Sequence, residues 1–297
     1  MEGSIEVMQA FHNDPALKSQ LLERLKTYAE AGAIINAENV WKDGKGSPSG
    51  CLLQDGGLAS WPERTGMPRA FGAAIDAVAR NLGSPEAAGR FAVEWLDAVP
   101  VGADMCSVAH ALIGWLLTDD EYGIQRLAAT EAAEEVVRRV AELHRRGAAG
   151  EVPTAAEWGA ARTAAMAVSD TCEKGTEKSV MATVEAAAWN PATAATVMSD
   201  TMRAWSLLGA ARGGSARQAH AEQLDRDIKA RNALRAAEAE KAGLRKPDVD
   251  MLELRNAVFA VIMRALQADH ERVAKVLLDL TKRSAARSRN APQGLLA

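Results

Sequence analysis

Leu252, Phe259, Leu266, Val273 and Leu280 stand seven residues apart, and Met263 and Leu277 each follow one of them by four. An apolar period of seven suits a helix that tracks a partner helix, because 3.5 residues per turn keeps one stripe on the neighbour while a straight helix drifts away from it. The segment opened by Pro247-Asp248 is therefore expected to be one long helix that needs a partner. That partner is either a second copy of the chain or, through a turn at Gly243 to Pro247, the stretch from Ser215 to Ala242. This stretch is helical in pattern but polar nearly all round, with Leu224, Ile228 and Leu234 its only large apolar residues, so it bridges solvent or leans on another helix. Asn256 and His270 interrupt the second apolar row, polar residues of the kind that set register at some cost in stability.

The rest of the chain is expected to be helical as well. Its 297 residues include 61 Ala and only 4% aromatics. Ala is the best helix former and strands favour β-branched and aromatic residues, so the fold class is all-α. Helices are expected from Asp14-Pro15 to Asn36, Pro68 to Leu82, Ser84-Pro85 to Val99, Asp104 to Leu117 and Asp119 to Arg146, each begun by Pro or a Ser/Asp cap. Between the first two, Trp41 to Pro68 is dense in Gly, Pro, Ser and Asp and reads as a long structured loop. Gly147 to Gly150 looks like a linker, and Thr154 with Glu157 makes a capping box that restarts the chain. Beyond it Trp158-x4-Thr163-Ala-Ala-x3-Ser169-Asp-Thr171 returns as Trp189-x3-Thr193-Ala-Ala-x3-Ser199-Asp-Thr201, the mark of a duplication. Three segments result: a helical module over 1–150, an Ala-rich duplicated segment over 151–212, and over 213–297 a polar helix followed by the heptad helix and a basic tail that frays from Thr281 onward.

Charge and cysteines narrow the function classes. Net charge is -4, which disfavours a wholesale nucleic-acid binder. It is unevenly spread, though: residues 1–212 carry 19 basic and 28 acidic groups, and residues 213–297 carry 16 and 11. Lys282, Arg283, Arg287 and Arg289 allow at most weak, sequence-independent nucleic-acid contact. Apolar runs such as Ala257 to Met263 are far short of a membrane span, and the three cysteines have no paired spacing, so the expectation is a cytoplasmic protein without membrane, disulfide framework or four-ligand zinc site.

The stretch Trp41-Lys-Asp43-Gly44-Lys45-Gly46-Ser47-Pro-Ser-Gly50-Cys51 resembles a loop of a family of uncharacterised bacterial and phage proteins that reads Trp-x-Asp-Gly-Lys-Gly-Cys-x3-Cys. Gly66-Met67-Pro68 and Ala98-Val-Pro-Val-Gly-Ala-Asp104, leading into Trp115-Leu-Leu-Thr-Asp119, are similar to further parts of it. The resemblance covers roughly the first half of the chain and implies a helical fold in a bacterial or mobile-element setting, without an activity. Ser47 stands where the family has its first Cys, which weakens a paired-thiol or metal loop.

Each candidate for chemistry has a structural counter-reading. Asp43-Gly44-Lys45-Gly46 suggests a phosphate cradle, yet P-loop spacing and a preceding strand are absent, and a Gly-rich turn anchored by Trp41 is preferred. Cys51 near Lys42 and Lys45 suggests a reactive thiol; a buried small hydrophobe is preferred. Cys106 and His110, four apart with Asp104 nearby, have two-ligand metal spacing, but core packing is preferred. Asp119-Asp120-Glu121 and His144 suit helix ends. Trp95, Trp115, Trp158, Trp189 and Trp205 with Arg162, Arg203 and Arg212 suggest stacking on single strands, against which helix packing is preferred. No catalytic, cofactor or metal residue is assigned. The expected function is a non-enzymatic interaction or assembly protein with a protein partner or a second copy, of the inhibitor or immunity type that the bacterial and phage setting suggests. The alternatives are nucleic-acid association through the basic last third and a small-molecule or metal-dependent enzyme using the Trp41 to Cys51 loop.

Overall fold

The computed structural model describes residues 8–212, 214–243 and 251–290 and has an all-α fold. After a short turn at Ala10–Asn13, helix α1 runs over Pro15–Glu30, opened by Pro15 and by the Asp14 carboxylate accepting from Ala16 N at 2.8 Å. It ends six residues before the expected Asn36, because Gly32 turns the chain with φ +62° and Ile34 then bridges to Gly46. The expected long loop is a compact excursion instead: strands β1 (Trp41–Lys42) and β2 (Lys45–Gly46), then helices α2 (Pro48–Leu53) and α3 (Trp61–Thr65).

Helices α4 (Arg69–Arg80), α5 (Pro85–Ala98) and α6 (Met105–Thr118) follow near their expected positions. The helix expected from Asp119 starts only at Glu131. Asp119 Oδ1 accepts from Glu121 N and Tyr122 N and makes a turn rather than a helix cap, Gln125–Leu127 is a single 3₁₀ turn, and Thr130 caps α7 (Glu131–Ala148). The chain continues as α8 (Ala155–Thr171), opened by the expected Thr154–Glu157 capping box, then α9 (Thr176–Ala187), α10 (Val197–Leu207), α11 (Gly209–Arg212), α12 (Gly214–Lys241) and α13 (Met251–Asn290). No helix among the described residues is long and apolar enough to cross a membrane.

The segments expected at 1–150 and 151–212 are not separate in packing. One buried apolar cluster runs from Ala10 through Trp95, Leu117, Val140, Trp158 and Trp205 to Leu277. Helices α8 and α9 pack on α7, and α10 packs on α4 and α6 as well as on α9. Nor are the two sequence copies alike in structure. The first lies within α8, whereas Trp189 to Thr196 is a string of turns that enters α10, since Asn190-Pro191 breaks the helix.

The heptad helix corrects a further expectation. Val273 and Leu277 are fully buried, and α13 lies against α4, α5 and α6, with Leu280 half-buried beside the core. This half of the row is used inside the chain, not between copies. His270, a polar member of the second row, is buried there: its Nε2 lies 3.3 Å from Asn81 Nδ2 at the end of α4, and its Nδ1 lies 2.8 Å from Leu266 O. The helix also passes Thr281 without fraying, Thr281 Oγ1 donating to Leu277 O, and is regular to Asn290. The side chains of Leu252, Phe259 and Met263 lie outside the described residues.

If the second half of α13 belongs to the core, Leu277→Ala should lower global stability by about 2–5 kcal/mol, the cost of a buried Leu cavity. Urea unfolding followed by circular dichroism measures it. A loss below about 0.5 kcal/mol, as at a surface position, would remove α13 from the core.

Candidate functional site

The Trp41 to Cys51 stretch is a tight hairpin over Trp41–Gly46 that leads through Ser47 into α2. Asp43 and Gly44 both take left-handed backbone (φ 51° and 76°), the two-residue turn that matches strand twist, and pair Lys42 with Lys45 and Trp41 with Gly46. A Cβ on Gly46 or Gly50 would stand 2.4 or 2.0 Å from Val40 O, so only glycine allows this approach. Trp41 is half-buried and meets Tyr28 edge to face at 5.2 Å. Ser47 caps α2, its Oγ accepting from Gly50 N at 3.2 Å. The Cys51 thiol is buried 3.5 Å from Gly46 O, and burial, helped by the Asp76 charge, pushes its pKa up to about 12. It is therefore a protonated core residue rather than a nucleophile.

The group that fastens this stretch to α4 has no sequence motif. Asp76, inside α4 and fully buried, accepts from Ser49 N (2.8 Å), Ser49 Oγ (2.5 Å) and Asn39 N (2.8 Å). Burial raises its pKa to about 6 against the hydrogen bonds of Ser49, Asn39 and Ser47 that pull it down. Its only trace in the sequence is an acid between Ile75 and Ala77, within a run from Ala70 to Ala79 that is otherwise apolar.

A second buried polar cluster joins α6 to α7. His144, expected at a helix end, is instead fully buried, its Nδ1 2.9 Å from His110 Nδ1 and its Nε2 2.8 Å from Ala187 O. Trp158 stacks on the His110 ring at 6.1 Å and meets His144 edge-on at 4.9 Å. Burial holds His110 down to about 4 and His144 down to about 3, the latter further lowered by its neighbour, so both are neutral at pH 7. Cys106 lines the same recess as His110 and Asp104, but burial and then Asp104 push its pKa to about 12. Among the described residues no three His, Cys, Asp or Glu side chains are grouped to hold a metal ion.

The Trp–Arg pairs separate into two kinds. Arg212 lies 3.4 Å above the Trp205 ring, donates to Trp205 O and pairs with Asp269 of α13 at 2.8 Å, all of it buried. Trp205 Nε1 donates to Tyr122 O, and the Trp115 ring packs against both Tyr122 and Trp205 at 5.9 Å. This is a joint that fastens α13 to the body. Arg162 over Trp189, at 3.7 Å, is on the surface, with Trp189 45% exposed. Arg203 pairs with Glu38 and Asp200. In the basic tail Lys282 and Arg283 are exposed, and the side chains of Arg287 and Arg289 lie outside the described residues. Neither a family model, nor a curated protein, nor a solved structure matches the chain.

The buried groups set a pH dependence whose sign follows from their shifts. The two imidazoles, at about 4 and 3 in the fold against 6.5 when unfolded, contribute stability that is whole above about pH 6.5 and is lost on acidification. His270, also held down by burial, acts in the same direction. Asp76 acts oppositely: raised from 3.8 to about 6, it favours the fold fully at low pH and loses that advantage as pH rises through 6. Between about pH 6 and 4 the His110–His144 pair outweighs Asp76 by roughly one proton, on the order of 1 kcal/mol of stability lost per pH unit. Asp76→Asn should roughly double that slope in denaturant titrations across the same window. A slope that does not steepen in the variant would show that Asp76 titrates normally in the fold.

Proposed function

We propose that the protein is a non-enzymatic interaction and assembly protein that binds a protein partner, in the first instance a second copy of itself, through α12 and the leading half of α13. The observation that carries this reading is the exposure of α12. From Gln223 to Gly243 its described side chains face solvent almost throughout; Ile228 is buried, and Leu234 is 67% exposed. Its main neighbours are α13 and α11. A 28-residue helix of this polarity gains little from its own core and is suited to leaning on another surface. Leu252 and Phe259 continue the seven-residue row of the sequence toward the start of α13. Charge supports the same pairing, since the last 85 residues carry an excess of bases and the preceding 212 an excess of acids, which favours arm-to-body approach between copies. An inhibitor or immunity-type role toward another protein would use this same arm.

Leu252→Lys with Phe259→Lys tests the proposal, because both positions precede Val273 and Leu277, the members of the row that are buried within the chain. Wild-type protein at tens of micromolar should sediment as an oligomer, as an interface of about micromolar affinity, roughly 8 kcal/mol, requires. The double variant should sediment as a monomer with the thermal transition of the body unchanged. A wild type that is monomeric at that concentration, or a variant that remains oligomeric, would overturn self-assembly through the arm.

A further inference from the structure

The hydrogen bonds of the buried histidine pair determine where its protons sit. His144 Nε2 faces a carbonyl, Ala187 O, which only accepts, so Nε2 carries the His144 proton. Neutral His144 then has a bare Nδ1, and the 2.9 Å contact to His110 requires that His110 Nδ1 be the donor. His110 Nε2 is left as a bare lone pair, and among the described residues it has no hydrogen-bond partner although the side chain is 4% exposed. The ring edge that carries it lies against Gly147, where a Cβ would come within 2.5 Å of Nε2.

His110 and Gly147 both line a recess of about 150 Å³, and Gly147 is absent from the other recess that His110 lines, where Arg138 and Arg145 stand. Asp104 and Glu151 are the charged side chains on the wall of the first recess, and no Lys or Arg lines it. Arg146 holds Glu151 from outside at 2.8 Å, and Asp104 Oδ1 accepts from Cys106 N at 2.9 Å. Met8, Val152, Pro153 and Ala192 make up much of the apolar remainder. An acceptor without a partner and two carboxylates on the wall of one recess call for a positively charged donor, and the apolar wall calls for a short hydrocarbon body. A cavity of this size in another protein takes a ligand of about six heavy atoms.

We propose that this recess is a binding site for a small organic cation, a primary ammonium on a short alkyl chain, with its N–H directed to His110 Nε2 and its charge facing Asp104 and Glu151. His144 is the positioning residue: by accepting from His110 Nδ1 it keeps the lone pair of Nε2 on the recess. The site is remote in sequence from the arm and independent of the assembly reading.

The test uses the full chain at neutral pH with n-butylammonium as the probe and n-butanol as its uncharged counterpart. Two-dimensional ¹⁵N–¹H correlation of the imidazole rings should show His110 with its proton on Nδ1 and its Nε2 resonance moving saturably with butylammonium, at a millimolar dissociation constant or tighter. Butanol should bind at least tenfold more weakly. Ala192→Leu, which adds bulk at a residue lining the recess, should weaken butylammonium at least tenfold. Glu151→Gln, at an exposed position that tolerates the change, should reduce the preference for the cation over butanol severalfold. The proposal is overturned if the Nε2 resonance does not respond, if butanol binds as well as the ammonium, or if binding persists unchanged in either variant.

Discussion

Helix α6 is the constraint on which the rest of the fold depends. Met105, Val108, Ala109, Leu112, Ile113, Leu116 and Leu117 cover more of its circumference than one neighbour can shield, and a helix apolar all round must be enclosed. It is enclosed by α7, α10 and the second half of α13. Each of these comes from a different stretch of the chain, so the segments that look separable along the sequence share one core. The same requirement explains why Val273 and Leu277 are spent within the chain. Helix α6 offers them an apolar neighbour, whereas α12 is polar nearly all round.

Around this apolar frame a few buried polar groups select one arrangement. Asp76 ties α4 to the hairpin through Ser49 and Asn39, the His110–His144 pair ties α6 to α7, and Arg212–Asp269 ties α11 to α13. Burial makes each costly to leave unpaired, since removing one member strands the other in a low dielectric. Ala-rich helix surfaces are smooth and pack in many registers with similar energy. Polar pairs of this kind distinguish among those registers because a shift of one residue separates their partners.

The division between body and arm follows from the same accounting. In the body the residues with chemical promise, Cys51, Cys106 and the two imidazoles, are held in uncharged forms by burial. Helix α12 has the opposite character: its sequence is charged along nearly all its faces, and among its described residues Ile228 alone is buried.

How much of this was legible in the sequence depends on the range of the interactions involved. Caps and prolines placed α4, α5 and α6 to within a residue or two and the Thr154–Glu157 box at the start of α8, because these signals act over one turn of backbone. The Asp43-Gly44 turn was readable for the same reason, although the two short strands flanking it were not. Asp76 and His144 were invisible as site residues, since an acid in an Ala-rich helix and a His near a helix end look like surface positions until the neighbouring elements are present. At Val273 and Leu277 the seven-residue row was legible as a covered helix face; its partner was not, because periodicity records that a stripe must be covered and says nothing of what covers it. By itself the sequence determined an all-α chain, its caps and its turns, all set by local backbone chemistry. Tertiary structure alone decided the single core, the intramolecular use of Val273 and Leu277 and the pairing of His110 with His144, because each depends on the desolvation of groups that lie tens of residues apart along the chain.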